Sequence, residues 1–322
     1  MTEPTGADPP NGGLSVPALV RQRVEYLGAV GSEWLQTLPR LVAELEEWWS
    51  NRVGHAVSGG SAAFVVPVVT SRGEGATLKI ALPGSGFDEQ VTVLEDAHGR
   101  GYASLIAQDV TRQAMLLERL GPQMGHGGLT PEDQIRALCE TLQQAWQLQP
   151  REPVTEEDAR QKSQSLQDMV ERLAGTLEHS CSDRVLEQAV EFARRRTSAA
   201  RADRCVVVHG DPHPANALRV LAPRPGAESG YVFVDPDGLC ADPAYDLGVV
   251  LRDWCQVLLA GDGYVEARSL CAHLASETGV DEEAIWEWGF LERVSTGLYV
   301  LEFGAEEMSE PFLATAELLV DR

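Results

Sequence analysis

The sequence predicts a two-lobed α+β protein, with a β-rich N-terminal lobe at residues 14–120 and a mainly helical lobe at 121–322. Short β-branched and aromatic runs between turn residues dominate the first lobe. After the glycine-rich segment 125–128, apolar residues recur with helical spacing. The chain has 322 residues, of which 43% are apolar, and this is enough material for more than one packed core. Residues 1–13 are rich in Pro and Gly without apolar periodicity, and we expect a disordered tail there.

The elements of the first lobe follow from periodicity and turn residues. They are a helix at 33–49, strands at 62–70 and 76–82, a helix at 88–97, and strands at 102–108 and 112–117. The first strand contains Pro67, which has no N–H to donate to a neighbouring strand. We therefore expect this strand to lie at a sheet edge or to carry a bulge.

The second lobe reads as helices interrupted by two short strands. Helical periodicity covers 130–148, 156–177 and 183–197 and resumes from about Ala244, while apolar runs at 205–208 and 231–234 predict strands. A β-rich lobe followed by a helical lobe is a common setting for a ligand cleft.

Composition excludes several classes of partner. The formal net charge is −23, which repels nucleic-acid backbones and favours a cationic small molecule instead. No apolar run approaches the roughly 18 residues that span a bilayer, and residues 1–4 do not resemble a secretory signal. The six cysteines form no C-x-x-C pair. We expect a cytoplasmic protein with reduced thiols, no membrane contact and no obligatory protein partner.

Polar residues follow both short strands of the second lobe. His209, Asp211 and Asn216 come after the first strand, and Asp235 comes directly after the second. Either segment alone could be an ordinary turn stabilised by its Asp and Asn side chains. Together, an Asp, an Asn five residues later and an Asp on a later strand are the base and metal ligands that kinase-like phosphoryl transfer requires. Oxygen ligands of this kind suit Mg²⁺.

These residues also carry a family resemblance. The H-G-D-x-H-x-x-N stretch at 209–216, followed by V-D-P at 234–236, resembles the aminoglycoside phosphotransferase superfamily. Further stretches are similar to its aminoglycoside 6-phosphotransferase branch, the streptomycin 6-kinases and hydroxyurea kinases: Trp34-Leu35, Leu38-Pro39, Leu41-Val42, Val65-Val66-Pro67-Val68, Leu78-Lys79, the run from Met115 to Leu120, and the run from Asp242 to Leu247. The resemblance implies a protein-kinase-like fold that uses ATP and Mg²⁺ to phosphorylate a hydroxyl group.

The resemblance assigns roles in the second lobe. It implies that Asp211 is the catalytic base and that Asn216 and Asp235 hold Mg²⁺. His209 is expected to make structural hydrogen bonds, because Gly210 and Pro212 break any helix that would align His209 with His213 as metal ligands. The resemblance implies that Asp246 braces the catalytic loop, and capping of the helix that starts nearby is an equally good role for it.

The resemblance also assigns a nucleotide site. Lys79 is implied to hold the α- and β-phosphates, with Glu89 as its carboxylate partner and Asp88 as the rival for that role. The segment from Glu118 to Leu120 is implied to meet the adenine through its backbone. Without the downstream motif, Lys79 would be better explained as a surface lysine at the end of a hairpin.

The acceptor site is sought beside the metal strand, where Asp253 and Trp254 offer a carboxylate and an aromatic face to a guanidinium or ammonium group. The favoured function is phosphorylation of an aminoglycoside such as streptomycin, which inactivates a cationic drug by adding negative charge. The alternatives are a kinase for hydroxyurea or another small hydroxyl compound, a catalytically silent nucleotide-binding relative, and a metal-dependent hydrolase.

Overall fold

The computed structural model describes residues 14–54, 63–177 and 180–320. The tail expected to be disordered, at 1–13, lies outside these residues. The described chain separates into two compact units. The first comprises the residues up to Phe87 together with Leu105–Arg119, and the second comprises Asp88–Ser104 together with the residues from Leu120 onward.

Two helices open the first unit. They are α1 (Ala18–Tyr26) and α2 (Gly28–Trp48), so the helix predicted at 33–49 begins five residues earlier and a second helix precedes it. Gly28 joins them in a left-handed conformation with φ +60°. Gly31 is needed for close packing, because a Cβ there would lie 2.2 Å from the carbonyl oxygen of Val24.

The sheet of the first unit has five antiparallel strands in the order β1-β2-β3-β5-β4. They are β1 (Asn51–Val53), β2 (Ala63–Thr70), β3 (Gly75–Ala81), β4 (Leu105–Asp109) and β5 (Ala114–Glu118). Phe64, Leu78 and Ile80 of the sheet pack with Leu38 and Val42 of α2 in one apolar core. A hydrogen bond of 2.9 Å from Trp34 Nε1 to the carbonyl of Ala81 also fixes α2 to β3.

The expectation that the strand containing Pro67 is an edge strand is wrong for its C-terminal part. The short strand β1, which periodicity did not reveal, pairs with residues 68–70. Beside it, the Gly54 N–H donates to the Pro67 carbonyl at 2.8 Å. Pro67 supplies an acceptor there and needs no N–H, so an inner strand tolerates it.

Residues 88–104 group with the second unit although they precede two strands of the first. Helix α3 (Phe87–Ala97) matches the predicted helix, and the chain after it turns at Gly99 and Gly101. The Gly101 N–H donates to the Gly226 carbonyl at 2.7 Å, and a Cβ on Gly101 would lie 2.6 Å from the backbone nitrogen of Ala145. The lobe boundary drawn at Leu120 from the sequence stays a prediction.

Most of the rest of the second unit is helical. Its helices are α4 (Pro131–Ala145), α5 (Glu156–Ala174), α6 (Asp183–Ala199), α7 (Pro243–Arg252), α8 (Cys255–Ala260), α9 (Gly263–Thr278), α10 (Glu282–Glu302) and α11 (Glu306–Leu319). Side chains of Thr130, Thr155 and Ser182 cap the first three. These local caps explain why the predicted helix starts agree with the structure to within one residue.

Four short strands frame the loops that follow α6. They are β6 (Val206–Val207), β7 (Ala217–Arg219), β8 (Tyr231–Phe233) and β9 (Cys240–Ala241), and they form two antiparallel pairs, β6 with β9 and β7 with β8. The α+β fold class is therefore confirmed, with the five-stranded sheet in one unit and most of the helices in the other. All six cysteine thiols are free. None of the helices in the described segments is long and apolar enough to cross a membrane.

Candidate active site

The loop between β6 and β7 carries His209, Asp211 and Asn216, and a glycine sets its path. Gly210 has φ +97°, a conformation that a side chain would strain. A Cβ at this position would also lie 2.4 Å from Oδ2 of Asp237. The Asp237 N–H donates to the His209 carbonyl at 2.7 Å, so the two loops that follow β6 and β8 are hydrogen-bonded together.

Helix α7 holds the backbone of this loop. The buried carboxylate of Asp246 accepts hydrogen bonds of 2.9 Å from the N–H groups of His209 and Gly210 and one of 2.8 Å from Trp146 Nε1. Burial raises the pKa of Asp246 to about 6, although the three donors act in the opposite direction. Asp242, whose side chain accepts from the Ala244 N–H, is the residue that caps α7. Asp246 thus contacts the loop backbone directly, and its role in bracing a catalytic loop stays a prediction.

His209 is fully buried and its ring is fixed by two hydrogen bonds. Its Nδ1 accepts from the Asp211 N–H at 3.1 Å, so Nε2 carries the proton and donates to the Val234 carbonyl at 2.9 Å. Burial lowers the pKa of His209 to about 4, and the ring is neutral at pH 7. Both of its ring nitrogens are therefore occupied by backbone groups.

The carboxylate of Asp211 is held by two basic side chains. Arg252 Nη2 donates to Asp211 Oδ1 at 2.8 Å, and His213 Nε2 lies 3.2 Å from Asp211 Oδ2. Burial raises the pKa of Asp211, but the hydrogen bond from His213 and the charge of Arg252 outweigh it and hold the pKa well below its usual value. The group is a carboxylate at neutral pH, and part of the side chain remains exposed to an incoming molecule.

Arg252 contacts three further side chains. Its Nη1 donates to Glu292 Oε2 at 3.1 Å and to Thr296 Oγ1 at 3.2 Å, and its Nε donates to Asp253 Oδ1 at 3.3 Å. Burial acts to lower the pKa of Arg252, but the three surrounding carboxylates outweigh burial and hold that pKa above its usual value. The guanidinium therefore stays charged.

The two predicted metal ligands, Asn216 and Asp235, lie at the same end of the hairpin formed by β7 and β8. The Val234 N–H donates to the Asn216 carbonyl at 3.0 Å, which sets Asn216 opposite the residue before Asp235. The Asn216 side-chain nitrogen donates to the Asp211 carbonyl at 3.0 Å, so the amide oxygen points away from that bond. Asp235 has φ +60°, which directs the chain sharply after β8.

This donor set fits a magnesium ion that is shared with phosphates. An amide oxygen and a carboxylate are hard ligands, and Mg²⁺ commonly takes only one or two protein ligands when phosphates supply others. In the described part of the chain, no group of three or more His, Cys, Asp or Glu side chains could hold a metal without such help.

A cavity of about 300 Å³ opens beside the loop within the second unit. Its walls include the two predicted acceptor residues, Asp253 and Trp254, together with His213, Pro214 and other neighbours. His213 Nδ1 lies 4.0 Å from Asp253 Oδ2, so this wall is continuous with the Asp211 carboxylate. Asp253 and Trp254 therefore line one cavity, and their role as acceptor ligands stays a prediction.

The remaining predicted residues are divided between the units. Lys79 lies on the central strand β3, paired with Met115 of β5, and only 4% of it is exposed. The alternative of a surface lysine is therefore wrong, and a buried lysine is costly unless it serves a structural or functional purpose. Glu118 ends β5 in the first unit.

The other two residues of the predicted nucleotide site belong to the second unit. Glu89 is exposed on the first turn of α3, and Leu120 packs against a small apolar cluster. Pairing of Glu89 or its rival Asp88 with Lys79 stays a prediction.

Sequence reasoning gave no role to several residues that hold this site. These residues are Arg252, Asp237, Tyr245 and Trp146. Tyr245 donates from its hydroxyl to the Gly210 carbonyl at 3.0 Å. Trp146 lies 100 residues from its partner Asp246, and no local pattern reports such a contact. The sequence offered one clue to Tyr245, which is that it directly precedes Asp246, the predicted bracing residue.

Comparison with known proteins agrees with this site. Residues 48–304 match the family described as aminoglycoside/hydroxyurea antibiotic resistance kinase. The hydroxyurea phosphotransferase of Kitasatospora aureofaciens is 28% identical over 311 residues, 96% of this chain and 87% of that protein. The streptomycin 6-kinase of Streptomyces glaucescens is 24% identical over 293 residues, 91% of this chain and 92% of that protein.

Solved structures show the same fold at low identity. The choline kinase LicA of Streptococcus pneumoniae superposes with a TM-score of 0.56 at 14% identity, covering 86% of this chain and 99% of that chain. The aminoglycoside phosphotransferase APH(3'')-Id of Streptomyces rimosus, solved with ADP and streptomycin, superposes with a TM-score of 0.51 at 15% identity, covering 80% of this chain and 98% of that chain.

The expected protein-kinase-like fold is confirmed by these structures, and the expected enzyme class, a small-molecule phosphotransferase, by the relatives. Because the family match covers most of the chain, including the whole loop from His209 to Asn216, this protein belongs to the aminoglycoside/hydroxyurea antibiotic resistance kinase family.

Proposed function

We propose that the protein transfers the γ-phosphoryl group of ATP to a hydroxyl group of a cationic antibiotic of the streptomycin type. The observation that carries the proposal is the ionised Asp211 carboxylate, held by Arg252 and His213 beside a cavity that Asp253 lines. A hydroxyl that enters this cavity can donate a hydrogen bond to Asp211, and the Asp253 carboxylate can pair with a positive group of the same molecule.

In this proposal Asp211 mainly orients the acceptor. The hydroxyl oxygen attacks the γ-phosphorus, the bond to the β–γ bridging oxygen breaks, and ADP leaves. The lowered pKa of Asp211 makes it a weak base, so it accepts the hydroxyl proton late, when the new P–O bond has already acidified that proton. Positioning and charge stabilisation, rather than strong base catalysis, then supply most of the rate.

Asn216 and Asp235 would hold Mg²⁺ through the amide oxygen and the carboxylate. When bound, the ion neutralises charge that develops on the phosphates. The hydrogen bond from the Asn216 side chain to the Asp211 carbonyl keeps the amide oriented, so the same residue links the predicted metal site and the base. Lys79 and the Glu118–Leu120 segment are proposed to hold the phosphates and the adenine, and a solved structural neighbour binds ADP.

A second acceptor class is favoured by one observation. The hydroxyurea phosphotransferase is 28% identical, compared with 24% for the streptomycin 6-kinase. Hydroxyurea is small and uncharged, so it would not use the Asp253 carboxylate as a counter-ion. The charge of Asp253 therefore favours a cationic acceptor, whereas the higher sequence identity to the hydroxyurea phosphotransferase favours hydroxyurea.

The proposal is tested by measuring ADP release with MgATP and a panel of streptomycin, other aminoglycosides and hydroxyurea. We expect wild-type protein to be stimulated by streptomycin and Asp211→Ala to lose at least about 100-fold in kcat, because orientation and proton acceptance are both removed. Binding of MgATP, followed by calorimetry, should survive, because Asp211 contacts the acceptor rather than the nucleotide.

Asp203→Ala is the matched control, because Asp203 is an exposed aspartate paired with Arg201 outside the loop. It should retain wild-type turnover. Stimulation by hydroxyurea alone would replace the cationic acceptor with the second class. MgATP binding without stimulation by any compound would oppose the kinase activity on these acceptors, and a fully active Asp211→Ala would refute the assigned base.

A further inference from the structure

One guanidinium joins the proposed base to the proposed acceptor cavity. Arg252 bonds to Asp211 with Nη2 and to Asp253 with Nε, and Asp253 lines the cavity. The two carboxylates therefore share one cation, and their separation is set by the planar fork of that cation rather than by loop backbone alone.

The other side of the guanidinium is anchored to helix α10. Nη1 donates to Glu292 and to Thr296, which lie one turn apart on that helix. The backbone that carries Arg252 is also fixed, because Arg293 Nη2 donates to the carbonyl of Leu251 at 2.9 Å. Arg252 thus has little freedom to move, although it ends α7.

The charges around Arg252 show why an arginine suits this position. Three carboxylates, those of Asp211, Asp253 and Glu292, surround the single guanidinium. Without this cation, three partly buried negative charges would repel one another and would have to separate or take up protons. A lysine would keep the charge, but its single nitrogen cannot meet all four partners in directions fixed by a planar group.

From these contacts we infer that Arg252 is a positioning residue, which sets the distance between the Asp211 carboxylate and the acceptor-binding Asp253. The inference rests on the proposed function, because it takes Asp211 as the base and Asp253 as an acceptor ligand. Arg252 acts through both carboxylates, so it governs turnover and acceptor affinity together while leaving nucleotide affinity unchanged.

The test compares steady-state kinetics of wild-type protein, Arg252→Lys and Thr296→Val with streptomycin and with hydroxyurea. For Arg252→Lys we expect kcat to fall at least about tenfold and KM for streptomycin to rise, with KM for ATP within about twofold of wild type. Thr296→Val removes one anchor on the side away from the base, so it should show the same pattern with a smaller loss. A variant that was merely less stable would not separate the two KM values in this way.

Two further variants isolate the mechanism. Arg252→Ala should regain part of its activity when guanidinium is added at a non-denaturing concentration, because the free ion can occupy the vacated position. Arg196→Lys is the matched control, since Arg196 is another poorly exposed arginine in an ion pair, here with Glu287 on α10. It should leave kcat and both KM values unchanged even if it lowers the melting temperature.

The outcomes separate the inference from the proposed function. An active wild-type protein whose Arg252→Lys variant keeps both kcat and the KM for streptomycin would overturn the inference and leave the function intact. A wild-type protein that uses neither compound would overturn the proposed acceptors. The inference would then be decided by acceptor-free hydrolysis of MgATP, in which water replaces the hydroxyl and an undiminished rate for Arg252→Lys would overturn it.

Discussion

At the residue scale, His209 shows how a titratable group can serve a purely structural purpose. Its neutral ring donates to one backbone carbonyl and accepts from one backbone N–H, and it stacks on Tyr102 with ring centroids 5.9 Å apart. An edge contact with Phe233, at 4.7 Å, completes an apolar surrounding. This arrangement requires the unprotonated ring, so the loop should weaken in acid.

The pH dependence of stability tests this conclusion. Because the folded-state pKa of His209 is lowered to about 4 from 6.5, its contribution is complete above pH 6.5 and is lost as the pH falls towards 4. The deficit of a His209→Gln variant, measured by urea unfolding, should therefore shrink by up to about 3 kcal/mol between pH 6.5 and 4. A deficit that does not change with pH would contradict the neutral buried ring.

Asp246 acts in the opposite direction over part of the same range. Its folded-state pKa is raised to about 6, so its contribution is present below pH 3.8 and is lost as the pH rises through about 6. Asp246 is present in both wild type and His209→Gln, so most of its contribution to the pH dependence of stability cancels when the two proteins are compared.

At the element scale, both ends of helix α7 hold the loop that carries Asp211. Tyr245 and Asp246 in its first turn hold the loop backbone, and Arg252 at its last position holds the Asp211 side chain. The helix is nearly all buried, so its placement depends on packing against α10 rather than on exposed charges. The loop can reach this helix only because Gly210 takes a left-handed turn next to Asp237.

Replacing Gly210 by alanine tests the tight turn. The substitution should cost roughly 1–2 kcal/mol for the positive φ and about 1–3 kcal/mol more for the collision with Asp237, and it should displace Asp211 and abolish most of the transfer activity. Urea unfolding and ADP release measure the two effects.

Gly230→Ala is the matched control for that variant. Gly230 has φ +80°, but a Cβ there meets nothing within 4 Å, so it should show the backbone cost alone and wild-type turnover. Equal losses of activity in the two variants would show that the contact with Asp237 has no special importance.

At the scale of the whole molecule, a net charge of −23 should assist a cationic acceptor and oppose an anionic nucleotide. With MgATP held at saturation, kcat/KM for streptomycin should fall several-fold as the salt concentration rises to about 0.2 M, because the Debye length shrinks to less than 10 Å. Activity with hydroxyurea, which has no charge, should change little. A salt-independent kcat/KM for streptomycin would oppose long-range attraction as a part of acceptor recognition.

The sequence by itself predicted most of the helices and the polar residues of the loop that runs from His209 to Asn216. Apolar spacing predicted helices α5 and α6 because that signal lies within one or two turns, and the structure shows that Thr155 and Ser182 cap their starts. The residues from His209 to Asn216 are likewise close together in the chain, so the proposed base and one proposed metal ligand could be suggested from the sequence alone. Such local features can be recognised without knowing which other elements they pack against.

Tertiary structure alone decided which distant groups meet. Arg252 reaches Asp211 across 41 positions, and the turn after α3 bonds to Gly226 across more than 120. Periodicity reports which face of an element is buried, but the partner that buries it is chosen by packing and by the pairing of charges in the folded chain. For that reason the sequence pointed to Asp211 as the proposed base, whereas Arg252, which holds that carboxylate, emerged only from the fold.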